Sequence, residues 1–213
     1  MKRIIIAAAA LFACIALSAQ NKGEMYIAAS LGASFGSENV ESYDGSYTTN
    51  TSNPLSTSFN VMGEFGYFIA DNVRLALAVG VPYSTTPTTQ SGNTWLHRSA
   101  VGLQINPNIA YYVKLADNFY YTPEVGFSYE FGTLKQDMTT STSQNLNYNG
   151  WDVYANILAL EFRVSPKLAI GAGIGSVSYS SVKYTEKGAV EYIKDGQFRF
   201  NLNDASVHVR FYL

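Results

Sequence analysis

The chain has 213 residues, 47% hydrophobic, 14% aromatic and only 14% charged, with a formal net charge of −2. That length suits one domain, and past residue 20 no apolar run is long enough for a membrane-spanning helix. Aromatic richness with few charges points instead to β structure against an apolar surrounding, and the absence of basic clusters argues against nucleic acid as a partner.

Residues 1–19 read as a signal peptide and 20–213 as a single mature domain. Met1-Lys2-Arg3 is a positive start, Ile4 to Ala16 an apolar run, and Leu17-Ser18-Ala19 a small-residue exit before Gln20. A buried N-terminal helix fits that order poorly. A lipoprotein signal at Leu11-Phe12-Ala13-Cys14 is opposed by the bulk of Phe12 and by apolar residues continuing past Cys14. Cleavage removes Lys2 and Arg3, leaving 12 basic against 16 acidic residues, a net charge of −4. It also removes Cys14, the only cysteine, and with it any disulfide, thiol nucleophile or thiolate ligand. His97 and His208 stand far apart, so the expectation is no metal and no cofactor.

The mature sequence then repeats one unit: an alternating stretch, a tight turn, another alternating stretch and a long polar connection. The tight turns are Ile69-Ala70-Asp71-Asn72, Leu115-Ala116-Asp117-Asn118 and Val164-Ser165-Pro166-Lys167. Asp and Asn side chains bond the local backbone, and proline presets φ. The connections 36–56, 83–97, 132–150 and 180–196, rich in Ser, Thr, Asn, Gly and Tyr, read as long loops. Three tight turns alternating with four long connections join eight strands, with both termini on the tight-turn side. This asymmetry is that of membrane barrels.

Period-2 alternation assigns the two faces. One face carries Met25, Ile27, Leu31 and Phe35, then Phe59, Val61, Phe65 and Tyr67, then Leu75, Leu77, Val79 and Val81. It continues through Val101 to Val113, Phe119 to Phe131, Leu158 to Phe162 and Leu168 to Ile174, and closes with Val207, Val209, Phe211 and Leu213. None of these positions is charged. The other face holds Gly, Ala and Ser, with Tyr26, Tyr112 and Tyr212, and six charges: Glu64, Arg74, Glu124, Glu161, Arg163 and Arg210. A soluble, lipocalin-type barrel would turn the bulky face inward. Small residues suit the crowded interior of eight strands, and aromatic residues near strand ends suit interfacial girdles. The reading is therefore an all-β, eight-stranded antiparallel up-and-down transmembrane barrel. The alternation slips between Trp151-Val153 and Leu158-Leu160 and again between Phe198-Phe200 and Val207-Val209, and bulges are expected there and at Pro107 and Pro123.

Gly66-Tyr67-Phe68-Ile69-Ala70-Asp71-Asn72-Val73-Arg74-Leu75 and Tyr111-Tyr112-Val113-Lys114-Leu115-Ala116-Asp117-Asn118-Phe119 resemble turns of the small outer-membrane β-barrel ("porin family", OmpA/OmpX-like) proteins. Val207-His208-Val209-Arg210-Phe211-Tyr212-Leu213 is similar to the C-terminal insertion signal of that family, although it ends in Leu213 where an aromatic is usual. The resemblance implies residence in the bacterial outer membrane among lipid and lipopolysaccharide, and insertion by the barrel-assembly machinery. It leaves function open, since this fold hosts adhesins, enzymes and proteins of no known activity.

Three features were candidates for chemistry. His97-Arg98-Ser99 is similar to the His-x-Ser of lipid A deacylase barrels, where His is base and Ser nucleophile. Tyr111 stands where a carboxylate is wanted, so polar rim residues are the better reading. The six inner charges read as a proton or ion path or, better, as a paired network plugging the barrel. Tyr43, Tyr47, Tyr148, Tyr184 and Tyr192 suit a recognition surface or the packing of the connections on one another. A non-enzymatic structural or surface-interaction role through the long outer connections, with an unknown surface ligand, is expected first. A narrow passive channel comes second and a lipid A-modifying enzyme third.

Overall fold

The computed structural model describes residues 21–36, 39–43, 48–52, 56–91, 94–137, 142–186 and 192–213. The expected signal segment 1–19 lies outside them. The strands are β1 (Met25–Gly36), β2 (Asn39–Tyr43), β3 (Thr48–Ser52), β4 (Ser56–Ala70), β5 (Val73–Ser91) and β6 (Thr94–Tyr111). They continue as β7 (Val113–Ala116), β8 (Phe119–Tyr121), β9 (Glu124–Asp137), β10 (Ser143–Ser165), β11 (Leu168–Glu186) and β12 (Tyr192–Tyr212). β6 and β7 form one stave interrupted at Tyr112, and β8 and β9 another interrupted at Thr122-Pro123. The wall runs β11-β12-β1-β4-β5-β6-β9-β10 and closes through β10–β11, giving eight antiparallel staves. β2 and β3 form a separate two-stranded sheet.

Tight turns fall at Asp71-Asn72, Asp117-Asn118 and Pro166-Lys167, as the sequence predicts. Asn72 and Asn118 adopt φ of 65° and 63°, the left-handed region that Asn tolerates better than other side-chain-bearing residues. The closing seam pairs Tyr26 with Tyr212 and Ile27 with Phe211.

The bulky apolar face points out of the barrel. Leu31, Val61, Leu77, Val125 and Phe211 are all exposed, and the buried set is mostly Ala, Tyr and polar residues, with Phe68, Leu96, Val113 and Leu134. Val113, expected outside, is buried beside the interruption at Tyr112. Exposed aromatics stand toward both ends of the belt: Tyr67, Phe162 and Phe211 lie near the tight turns, and at the outer end Phe35 meets Phe59 edge-on at 6.0 Å and Trp151 lies 5.7 Å from Tyr179.

Two expectations are corrected and a third is met. First, the polar connections 83–97, 132–150 and 180–196 are largely ladder: β5 runs to Ser91, β9 to Asp137 and β11 to Glu186. β10 alone has 23 residues, about twice the 9–11 that a crossing strand needs. Their Ser, Thr and Asn content reports contact with water and does not report loss of strand. The connection 36–56 contains the β2–β3 hairpin. Second, Pro107 causes no bulge. It pairs with Leu77 in unbroken register, and the ladder to β9 lapses only between Ile105↔Tyr129 and Asn108↔Gly126 without a shift. The missing donor falls in that lapse. Third, the other expected bulges are present, at Pro123, in β10 and in β12. At Pro123 the pairing with β10 slips by one residue, from Asn156↔Glu124 to Leu160↔Tyr121. Ile157 and Leu158 are consequently both exposed. The slip in β12 sits between Ile174↔Ala205 and Ser176↔Asn201, opposite Gly175 at φ 78°.

Candidate functional site

Inside an eight-stranded wall a large side chain needs a small one beside it. The inward sequence supplies this pairing around the ring. Tyr26 stands opposite Gly66 and Glu64 between Ala28 and Ala78. Ala110 separates Arg74 from Glu124. Arg210 lies between Ala28 and Ala169, and Gly171 between His208 and Glu161. A Cβ at Gly66 would collide with the Tyr26 ring, and one at Gly171 with the His208 ring.

The tight-turn end is filled by aromatic rings and charges. Tyr26, Phe68, Tyr112, Tyr120 and Tyr212 are buried together, with Phe68 edge-on to Tyr112 at 5.1 Å and Tyr26 tilted on Tyr212 at 5.6 Å. Arg210 donates to Glu161, to Tyr112 Oη at 3.2 Å and to His208 Nε2 at 2.7 Å, and lies 3.5 Å from Glu64. Tyr212 Oη donates to Glu161 Oε1 at 2.7 Å and Tyr112 Oη to Oε2 at 3.1 Å. Arg74 donates to Glu124 and to Asn108 Oδ1 at 2.7 Å, and stands 3.7 Å from Glu64. Tyr26 donates to Glu64, and Tyr154 Oη donates to Glu124 at 3.0 Å. Each carboxylate thus has a guanidinium and at least one phenol, the pairing that buried charge requires.

Five of the six predicted inner charges therefore meet. Arg163 does not join them. It bonds Glu24 at 2.8 Å and covers the Tyr212 ring at 3.9 Å, forming a second layer across the closing seam. The expected three-against-three balance is thus three carboxylates, Glu64, Glu124 and Glu161, against two guanidiniums, with the His208 ring 3.7 Å from Glu161 accepting from Arg210 and so adding no charge of its own. Glu24 and the ring cluster were missed. The phase of Tyr26, Tyr112 and Tyr212 in the small-residue face was the available signal. At the turn below, Asp117 bonds Lys114 at 3.0 Å, raising the ammonium above its ordinary range through that hydrogen bond and the adjacent charge.

Above this floor lies a polar cup of about 510 Å³. Ser30, Ser58, Ser178 and Ser206 line one side, and Gln104, Asn106, Glu130 and Tyr154 the other. Tyr148 donates to Glu130 and lies 6.4 Å from Tyr184, so these two tyrosines pack inward. The side chains of Tyr43, Tyr47 and Tyr192 fall outside the described residues. His97 is exposed on the outward phase and Ser99 shares that phase, while Arg98 bonds Gln136 at 3.1 Å. Val207, Val209, Phe211 and Leu213 are all exposed along the last strand, on the outer face. Among the described residues no cluster of His, Cys, Asp and Glu suits a metal ion.

A family model described as "Outer membrane protein beta-barrel domain" matches residues 4–211. The chain belongs to this family. It is a bacterial outer-membrane β-barrel, its exposed apolar belt facing lipid. No curated protein matches it. Among solved structures, outer membrane protein OprG of Pseudomonas aeruginosa is 12% identical over 91% of this chain and 97% of its own, with TM-score 0.50. The N-terminal barrel domain of OprF from the same organism is 13% identical over 91% and 100%, with TM-score 0.43. Ail, the attachment invasion locus protein of Yersinia pestis, solved with the heparin analogue sucrose octasulfate, is 11% identical over 90% and 99%, with TM-score 0.44. At these identities the likeness is of fold.

Proposed function

We propose that this outer-membrane barrel is closed to permeation, is not an enzyme, and acts at the cell surface through its outer hairpins. The observation that carries the reading is the filled floor: Arg74, Arg210, Glu161 and three tyrosines, all buried, span the lumen where a channel needs water. The hairpins β5–β6, β9–β10 and β11–β12 continue as ladder well past the length that crosses the bilayer. That extension is poorly explained by transport. The deacylase-like fragment lends no support to catalysis: His97 and Ser99 share the outward phase, but Tyr111 stands where the carboxylate is wanted.

The test is complementation of a deletion strain. A chain with the β9–β10 hairpin shortened to a tight turn above the membrane should fold yet fail to restore the lost surface phenotype, while Glu124→Ala restores it. The reverse pattern would favour a channel. Altered lipid A acylation in the deletion strain would favour an enzyme.

A further inference from the structure

The outward face of β9, β10 and β11 changes chemistry rung by rung as it leaves the apolar belt. Tyr129 pairs with Trp151 across β9 and β10. Trp151 lies 5.7 Å from Tyr179 and Tyr129 6.1 Å from Phe131, so exposed aromatics mark the outer edge of the belt, as an interfacial girdle does. Beyond Trp151 the next three outward positions of β10 are Asn149, Asn147 and Asn145, all exposed. They pair in turn with Phe131, Thr133 and Lys135 of β9, and Asn149 pairs also with Lys183 of β11. Both lysines are exposed, and Asp137 stands one rung further out. Asn is depleted in strands, so three in succession on one face are not selected by the ladder itself. Each amide offers a carbonyl acceptor and an N–H donor pair, and alternate residues stand about 7 Å apart.

We propose that this face binds the headgroup of an outer-leaflet glycolipid, lipopolysaccharide. Its acyl chains lie against the belt below Trp151, its sugar hydroxyls bond the Asn column, and its phosphates meet Lys183 and, higher, Lys135. Continuity and charge argue for this occupant. A lipid seated on the belt carries its headgroup onto the rungs just beyond the aromatic girdle, and a lysine at an anionic membrane surface is drawn to it. The site rests on the reading that these hairpins stand at the cell surface, but it uses their outward flank and not their tips.

The experiment is fluorescence titration of the refolded full chain in zwitterionic micelles, with Trp95→Phe leaving Trp151 as the reporter beside the column. The probes are lipopolysaccharide, dephosphorylated lipopolysaccharide and phosphatidylglycerol. Lipopolysaccharide should shift the Trp151 emission saturably, and its dephosphorylated form should bind more weakly. Phosphatidylglycerol, an anion without the sugar, should fail to saturate. Lys135→Gln with Lys183→Gln should weaken lipopolysaccharide by roughly thirtyfold, about fivefold for each lysine. Asn145→Ala, Asn147→Ala and Asn149→Ala together should weaken both glycolipid forms. Lys167→Gln, at an exposed tight turn on the opposite side, should change nothing. Heat-modifiable gel mobility establishes that each variant is folded. Equal affinity for phosphatidylglycerol, binding unmoved by the lysine and asparagine sets, or an equal loss on Lys167→Gln would overturn the site. Antibody labelling of an epitope within 139–145 on intact cells tests the orientation separately, so labelling without lipopolysaccharide binding sinks this site and leaves the surface role standing.

Discussion

Gly66 and Leu77 show how much a single inward or outward position decides. Gly66→Ala puts a methyl into the Tyr26 ring, which is fully buried and holds Glu64. Overpacking of this kind costs about 1–3 kcal/mol, so urea unfolding in micelles should show a loss in that range. Leu77 is half-exposed to lipid, and Leu77→Arg should cost about 2–4 kcal/mol near the midplane. Ala78→Ser, which faces the polar cup, should change stability by less than about 0.5 kcal/mol. Equal effects at 77 and 78 would invert the assignment of faces. These positions were legible from period-2 alternation because burial inside a barrel is read residue by residue. The partner of Arg163 was not legible, because Glu24 precedes the first strand and meets it only when the seam closes.

At the scale of elements, tight turns were readable from Asp-Asn and Ser-Pro, since their chemistry is local. Asn118→Val, forced into φ near 63°, should destabilise by about 1–2 kcal/mol, whereas Asn118→Gly should be close to neutral; thermal unfolding of the pair checks this. The extent of the outer hairpins was not readable. Thr140-Ser141-Thr142-Ser143 and similar runs look like loop by polarity, yet Ser143 already starts β10. Polarity marks the solvent, and the ladder is decided by the neighbouring strand. The register break at Pro123 was anticipated and the regular pairing of Pro107 was not, because a proline's missing donor matters only if its N–H faces a paired neighbour. An epitope placed within 139–145 should be reached by antibody on intact cells, and one at Asp117-Asn118 should not. Equal labelling would contradict the orientation of the barrel.

For the whole molecule, the eight-stave wall and its membrane residence follow from one pattern: large apolar residues outward, small residues inward, and large inward residues seated opposite Gly or Ala. What the pattern does not carry is whether the charges so gathered line a path or close one. In the structure Arg74 and Arg210 bridge carboxylates from three different staves and share them with tyrosines, so the account predicts a closed lumen. Glu124→Ala leaves Arg74 with one carboxylate 3.7 Å away. That should cost about 3 kcal/mol, the low end for a broken buried pair because Glu124 borders the cup, against less than about 0.5 kcal/mol for Thr133→Ala on the exposed face. The decisive measurement is planar-bilayer current for the wild type and Glu124→Ala, with urea unfolding of both. The account predicts negligible steady current in the wild type, with lower stability and raised current in the variant. A stable open channel in the wild type, unchanged by the substitution, would contradict it.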